Sequence, residues 1–198
     1  EHAARITLFC QAGQIAVPPE FRSLLVYLEN SVYPVVPPRP DSIFHPKVWF
    51  LRYRQSDGDS IAYRLLCLSR NLTFDRSWDT ILRLEGTEGD ESRHPELARF
   101  TQSLLIMANP IRPVAQDRVE AIRELGDQFA RAKWSLPTGF RQIRFWPLGD
   151  DGVSRWPFEG RRDRTLVISP FVTAGTLARL TKAHPGSISW DIHSKVFA

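Results

Sequence analysis

Lysine is scarce in this chain of 198 residues: four, at positions 47, 133, 182 and 195, against 22 arginines. Histidine numbers five, cysteine two and methionine one. Cys10 and Cys67 each lie in an apolar run, a pattern that favours buried free thiols in a reducing compartment over a disulfide. No apolar stretch approaches the ~20 residues of a membrane span and no signal peptide is visible, so a cytoplasmic protein without a membrane partner is expected. Zinc-ligand spacings such as His-Glu-x-x-His or Cys-x-x-Cys are missing as well, and neither a metal nor another cofactor is expected. The chain opens on Glu1 rather than Met and stops just after a strand-like run. It is therefore expected to be a piece of a longer protein whose other domains are further partners.

What is present is ordinary in bulk. Hydrophobic residues make up 42% and charged residues 24%, enough apolar material for one domain or two closely packed halves. A net charge of +4 and a pI near 9.4 lean toward an anionic partner such as nucleic acid.

Along the chain, residues 5–10 read as a short buried strand. Pro18 and Pro19 open a helix whose apolar stripe is Leu24, Leu25 and Leu28. Four prolines between 34 and 40 predict an extended connector. Strands are expected at 47–53, 63–69 and 80–84, the first two joined by the turn 55–60 as an antiparallel hairpin. Helices are expected at 95–108 and 115–133, the second with Val119, Ile122, Leu125 and Phe129 on one face. A short strand at 142–146 precedes a loop rich in Gly, Asp and Pro through 160, the best boundary in the chain. Arg161, Arg162 and Arg164 form a small basic run. A buried strand at 164–169, a helix at 173–183 and a strand at 189–197 close the chain. Strand, helix and strand thus occur twice, about 150 residues apart, which predicts an internal duplication with like halves at 1–135 and 136–198.

Each half carries the same short motif. Residues 44–49 read Phe-His-Pro-Lys-Val-Trp and residues 192–197 read Ile-His-Ser-Lys-Val-Phe. Five histidines and four lysines placed at random would give about 0.1 His-x-Lys in this length, the background a short motif must exceed. Two occur and use half of all the lysines, whereas His94 and His184 lack the lysine two residues on. In a strand, residues i and i+2 share a face, so His45 stands beside Lys47 and His193 beside Lys195.

Two imidazoles and two ammonium groups suit a phosphate diester. The lysines offset charge building on the non-bridging oxygens, one histidine attacks phosphorus and the other protonates the leaving oxygen. A lysine two residues from each histidine would repel a metal cation. Ser69 and Asn71 repeat the i, i+2 spacing with uncharged donors able to hold a phosphoryl oxygen. Asp79 either orients a histidine through its second ring nitrogen or caps the start of a strand. Arg52, Arg70, Arg161 and Arg162 are the candidate nucleic-acid contacts.

The series HPK, SRNLT, SWD, VISPF and HSK resembles the phospholipase D superfamily, whose signature pairs His-x-Lys with a later Ser-x-Asn, twice per active site. Most of the chain takes part, and the wording SRNLTFDRSWD is similar to bacterial nuclease-like members. The resemblance implies an α/β fold with a mixed β-sheet flanked by helices in each of two pseudo-twofold-related halves, the second truncated. It also implies a metal-independent phosphodiesterase, a nuclease, working through a phosphohistidine intermediate. His45 and His193 would be nucleophile and general acid in one order or the other, while Lys47, Lys195, Ser69 and Asn71 hold the phosphate. DNA is the expected partner, and a homodimer is compatible with the pattern though two motifs in one chain make it unnecessary for catalysis.

Three positions depart from the family. The aspartate five residues after the first lysine is Arg52 here, the glycine before the serine is Leu68, and the second Ser-x-Asn lies beyond Ala198 or is lacking. These departures keep a second reading open: a catalytically silent nucleic-acid-binding module of a larger, defence- or restriction-type protein.

Overall fold

The computed structural model describes residues 2–15, 23–39, 42–54, 56, 58–71, 78–91, 93–149, 158, 166–167, 174–183 and 189–190. It is a mixed α/β structure that divides into two compact units, 1–147 and 148–198. No helix among the described residues is long and apolar enough to cross a membrane.

The first unit begins with a parallel pair. Strand β1 (Leu8–Gln11) runs beside β2 (Val32–Val35), with helix α1 (Ser23–Glu29) between them in sequence. The expected connector therefore starts as a strand. Proline is tolerated there because Leu8 N–H donates to Ser31 O and Ala12 N–H to Val35 O. Odd-numbered residues of β2 thus face β1, and the N–H that Pro34 lacks would point away from the ladder.

Strands β3 (Val48–Arg54), β4 (Ile61–Leu68), β5 (Ile81–Thr87) and β6 (Lys133–Trp134) form an antiparallel sheet in that order. Directly opposed residues share a face, so the register Phe50↔Leu65↔Leu84 and Arg52↔Tyr63↔Gly86 defines one side of the sheet. Helices α2 (Pro95–Ala108) and α3 (Gln116–Arg131) cover that side. Pro95 sits in the first turn of α2, where its missing N–H has no helical partner to lose. The core joins Tyr63, Leu65 and Leu84 of the sheet to Leu97 of α2 and Phe129 of α3. Tyr33 and Val35 of β2 pack with Ala108 in a smaller cluster.

Two arginines tie the parallel pair to the helices. Arg112 donates to Glu29 O at 2.9 Å, a carbonyl left over at the end of α1, and to Val32 O at 3.1 Å at the start of β2. Arg118 reaches Ile6 O at 2.6 Å and Thr7 Oγ1 at 3.1 Å.

Where α2 and α3 cross, a Cβ on Gly126 would lie 2.0 Å from Thr101 Oγ1 and 3.3 Å from Ala98 Cα. Thr101 is buried and bonded to Ala98 O, so it has little room to give. Gly126→Ala is expected to destabilise the unit by about 1–3 kcal/mol through overpacking. The gain in helix propensity, about 1 kcal/mol, offsets part of this. Urea melts check it; a stabilised variant would mean that the helices do not meet this closely.

Other elements differ from the sequence reading. Residues 142–146 are not a strand. Ile143 and Phe145 still pack on the core cluster, so the apolar alternation reflects burial rather than pairing. The strand that joins β5 is instead β6, delivered there by the end of α3. Neither cysteine is fully buried: Cys10 is half-buried and Cys67 exposed. Cys67 stands between Val48 and Leu82 at the end of the sheet, beyond the helices' cover. Burial pushes the Cys10 thiol up from its ordinary value.

In the second unit, β7 (Leu166–Val167) and β8 (Ser189–Trp190) form a parallel pair with α4 (Ala174–Ala183) between them in sequence. Leu8 pairs with Val32 in the first unit and Leu166 with Ser189 in the second, so both units hold a parallel strand–helix–strand of nearly equal length.

Candidate functional site

The first His-x-Lys motif is positioned from both sheets of the first unit. Phe44 packs against the Tyr33–Val35–Ala108 cluster, and its N–H donates to Gln11 Oε1 at 2.9 Å, at the carboxyl end of β1. On the other side of the motif, Lys47 O accepts the Leu68 N–H at 2.8 Å, extending the β3–β4 ladder by one rung. Anchoring at 44 and 47 leaves the His45 side chain exposed between them.

The Lys47 ammonium lies 2.9 Å from His45 Nδ1 and 3.0 Å from Nε2. The lone-pair directions of the two ring nitrogens diverge, so one ammonium cannot bond both in line. The contact is an ammonium held against the imidazole, free to donate to whichever nitrogen lacks the proton. Desolvation by partial burial lowers the Lys47 pKa below the ordinary lysine value.

One strand further on, Ser69 N–H donates to Thr80 O at 3.0 Å, closing the β4–β5 end of the sheet. The Ser69 hydroxyl donates to the Asp79 carboxylate and accepts from Thr80 N–H at 3.0 Å. Among the described residues Asp79 thus holds a serine and not a histidine ring. Ser69 must exchange this partner before it can donate to a phosphoryl oxygen. Asn71 is exposed just beyond, with Arg70 half-buried between them. Trp78, next to Asp79, is 96% exposed.

The structure therefore gathers His45, Lys47, Ser69, Arg70, Asn71 and Asp79 at one end of the four-stranded sheet. They form two pairs, His45–Lys47 and Ser69–Asp79, with no hydrogen bond joining one pair to the other among the described residues. Arg52 is not part of this cluster. It lies five residues along β3, about 17 Å of strand away, and donates to Glu124 Oε1 at 3.0 Å and Gln128 Oε1 at 3.1 Å on α3. Arg161, Arg162, His193 and Lys195 lie outside the described residues.

His94 behaves as a histidine without the motif should. Its ring meets Phe145 edge-on at 5.0 Å, and Nδ1 is 3.6 Å from Glu96 Oε1. Sequence reasoning missed Gln11, whose side chain fixes the approach to His45. Its signal was only a polar residue ending an apolar strand. No group of three or more His, Cys, Asp and Glu side chains converges as a metal set among the described residues.

Comparison with known proteins adds no relative: no family model, curated protein or solved structure matches this chain.

Proposed function

We propose that this chain is a phospholipase D-like phosphodiesterase domain that cleaves nucleic acid, DNA in the first place, without a metal. The observation that carries the reading is the Lys47 ammonium held against an exposed His45 imidazole at the sheet end that also bears Ser69 and Asn71. The like strand–helix–strand of the two units supports the reading of two related halves, each bringing one His-x-Lys.

In this mechanism one imidazole nitrogen attacks phosphorus as the bond to the leaving oxygen breaks, and the other histidine gives that oxygen its proton. Water, deprotonated by the same second histidine, then attacks the phosphorus of the phosphohistidine and releases the first ring. Lys47 and Lys195 balance the charge on the non-bridging oxygens in both steps.

Arg52 favours a second reading, a silent nucleic-acid-binding module. The position where the family keeps an aspartate carries a cation, and that cation is engaged with α3. Hydrolysis of a chromogenic phosphodiester in EDTA separates the two. The enzyme reading expects turnover and an acid-labile phosphate on histidine. Turnover only with added magnesium would overturn the phosphohistidine mechanism. No turnover in any buffer, with salt-sensitive DNA binding, would select the silent module.

A further inference from the structure

Trp78 is the most exposed large apolar side chain among the described residues, at 96%, ahead of Ile43 and Ile106. Tryptophan carries a large apolar surface with a flat π-face, and an indole standing almost wholly in water leaves that face available to a partner. Its place in the fold says which. Trp78 adjoins Asp79, and Thr80 pairs with Ser69 on the neighbouring strand. Leu68, the residue before, pairs with Lys47 on the next. Three adjacent strands at about 4.8 Å spacing, plus two residues of chain, put the backbone of Trp78 roughly 10–17 Å from that of the His45–Lys47 pair. A few nucleotides of one strand span that distance at 3.4 Å or more each.

We propose that Trp78 is a stacking platform for an unpaired base of a single-stranded nucleic acid whose phosphodiester lies at His45 and Lys47. The inference rests on the phosphodiesterase reading of that sheet end and narrows its substrate to single strands. An indole offers a flat π-face that every base can stack on, whereas a base inside a duplex already has both faces occupied. The net charge of +4 favours the same polyanion. A lipid surface fits less well: binding there takes an amphipathic helix with a basic face, and Trp78 lies outside any helix.

The test uses the full chain, its Trp78→Ala and Trp78→Phe variants, and fluorescently labelled mixed-sequence DNA 12-mers read by anisotropy. Trp78→Ala is expected to weaken single-strand binding about 10-fold, within the range for loss of one stacked base. Trp78→Phe retains most of the affinity, and duplex binding is unchanged. With an oligonucleotide made abasic throughout, parent and Trp78→Ala bind alike. The exposed site leaves no cavity when truncated, and matching thermal melts check that. Equal single-strand affinity of parent and Trp78→Ala overturns the proposal, as does a parent that binds no single strand. A loss that is equal on duplex, or that appears on anionic phospholipid vesicles and not on oligonucleotides, also overturns it. Diester turnover by the parent in EDTA is scored separately. A stacking effect without turnover refutes the enzyme reading alone, and turnover without a stacking effect refutes the role of Trp78 alone.

Discussion

Replacing His45 by alanine is expected to lower phosphodiester hydrolysis at least ~10³-fold, about 4 kcal/mol of barrier, while the melting temperature stays put. As general acid or base the imidazole contributes about 10²–10⁴-fold, and as nucleophile its removal abolishes the covalent step altogether. The exposed ring can be removed without opening a cavity, so the loss is one of chemistry alone. His193→Ala should match it if both motifs serve one reaction. Lys47→Ala is expected to lose roughly 10²–10³-fold, the scale for removing one donor that faces developing charge.

Lys47 also sets a pH dependence. Desolvation lowers its pKa, so the ammonium that the proposal sets against the phosphate loses its proton at a lower pH than an ordinary lysine. Activity should therefore fall on the alkaline side before ordinary lysines titrate. Lys47→Arg keeps its charge throughout, so its profile should lack that alkaline fall. A His45→Ala protein within threefold of the parent rate, or a profile unmoved by Lys47→Arg, would sink this account of the site.

How much of this was legible beforehand depended on how local each signal is. Strands β3, β4 and β5 show as strand-like runs of seven or eight residues, the first two set off by a turn, and α2 announces itself with Pro95 and a regular apolar stripe. Strand β2 hid behind Pro34, because whether the N–H missing there is needed depends on which edge β1 occupies. The pair Lys133–Trp134 is too short to carry any pattern and becomes a strand only because α3 ends opposite Gly86. At the site, His45 and Lys47 are two residues apart, so their contact follows from spacing. Ser69 and Asp79 are ten apart, and their bond exists only once the β4–β5 hairpin closes. Arg52 shows the same limit: its partners on α3 are 72 and 76 residues away.

The largest stability effect should come from Phe129→Ala. Its ring is fully buried, with centroids of Phe50, Tyr63 and Trp134 at 4.7, 5.4 and 5.2 Å. It is thus the point at which β3, β4, β6 and α3 meet. Truncation removes the transfer energy of a whole ring and leaves a cavity walled by three other rings, which are too large to collapse into it. The expected loss is about 3–5 kcal/mol, against a total of about 5–15 kcal/mol for a domain of this kind. In melting temperature that is a fall of roughly 6–20 °C. Phe129→Leu, which keeps most of the volume, should lose much less. Because Phe50 lies three residues along β3 from Lys47, a slackened core should also loosen the strand that carries the motif. Amide exchange of the Leu68 N–H, bonded to Lys47 O, should then quicken in Phe129→Ala and not in His45→Ala. A Phe129→Ala protein that melts within 1 °C of the parent would mean that this ring is not the keystone between sheet and helices.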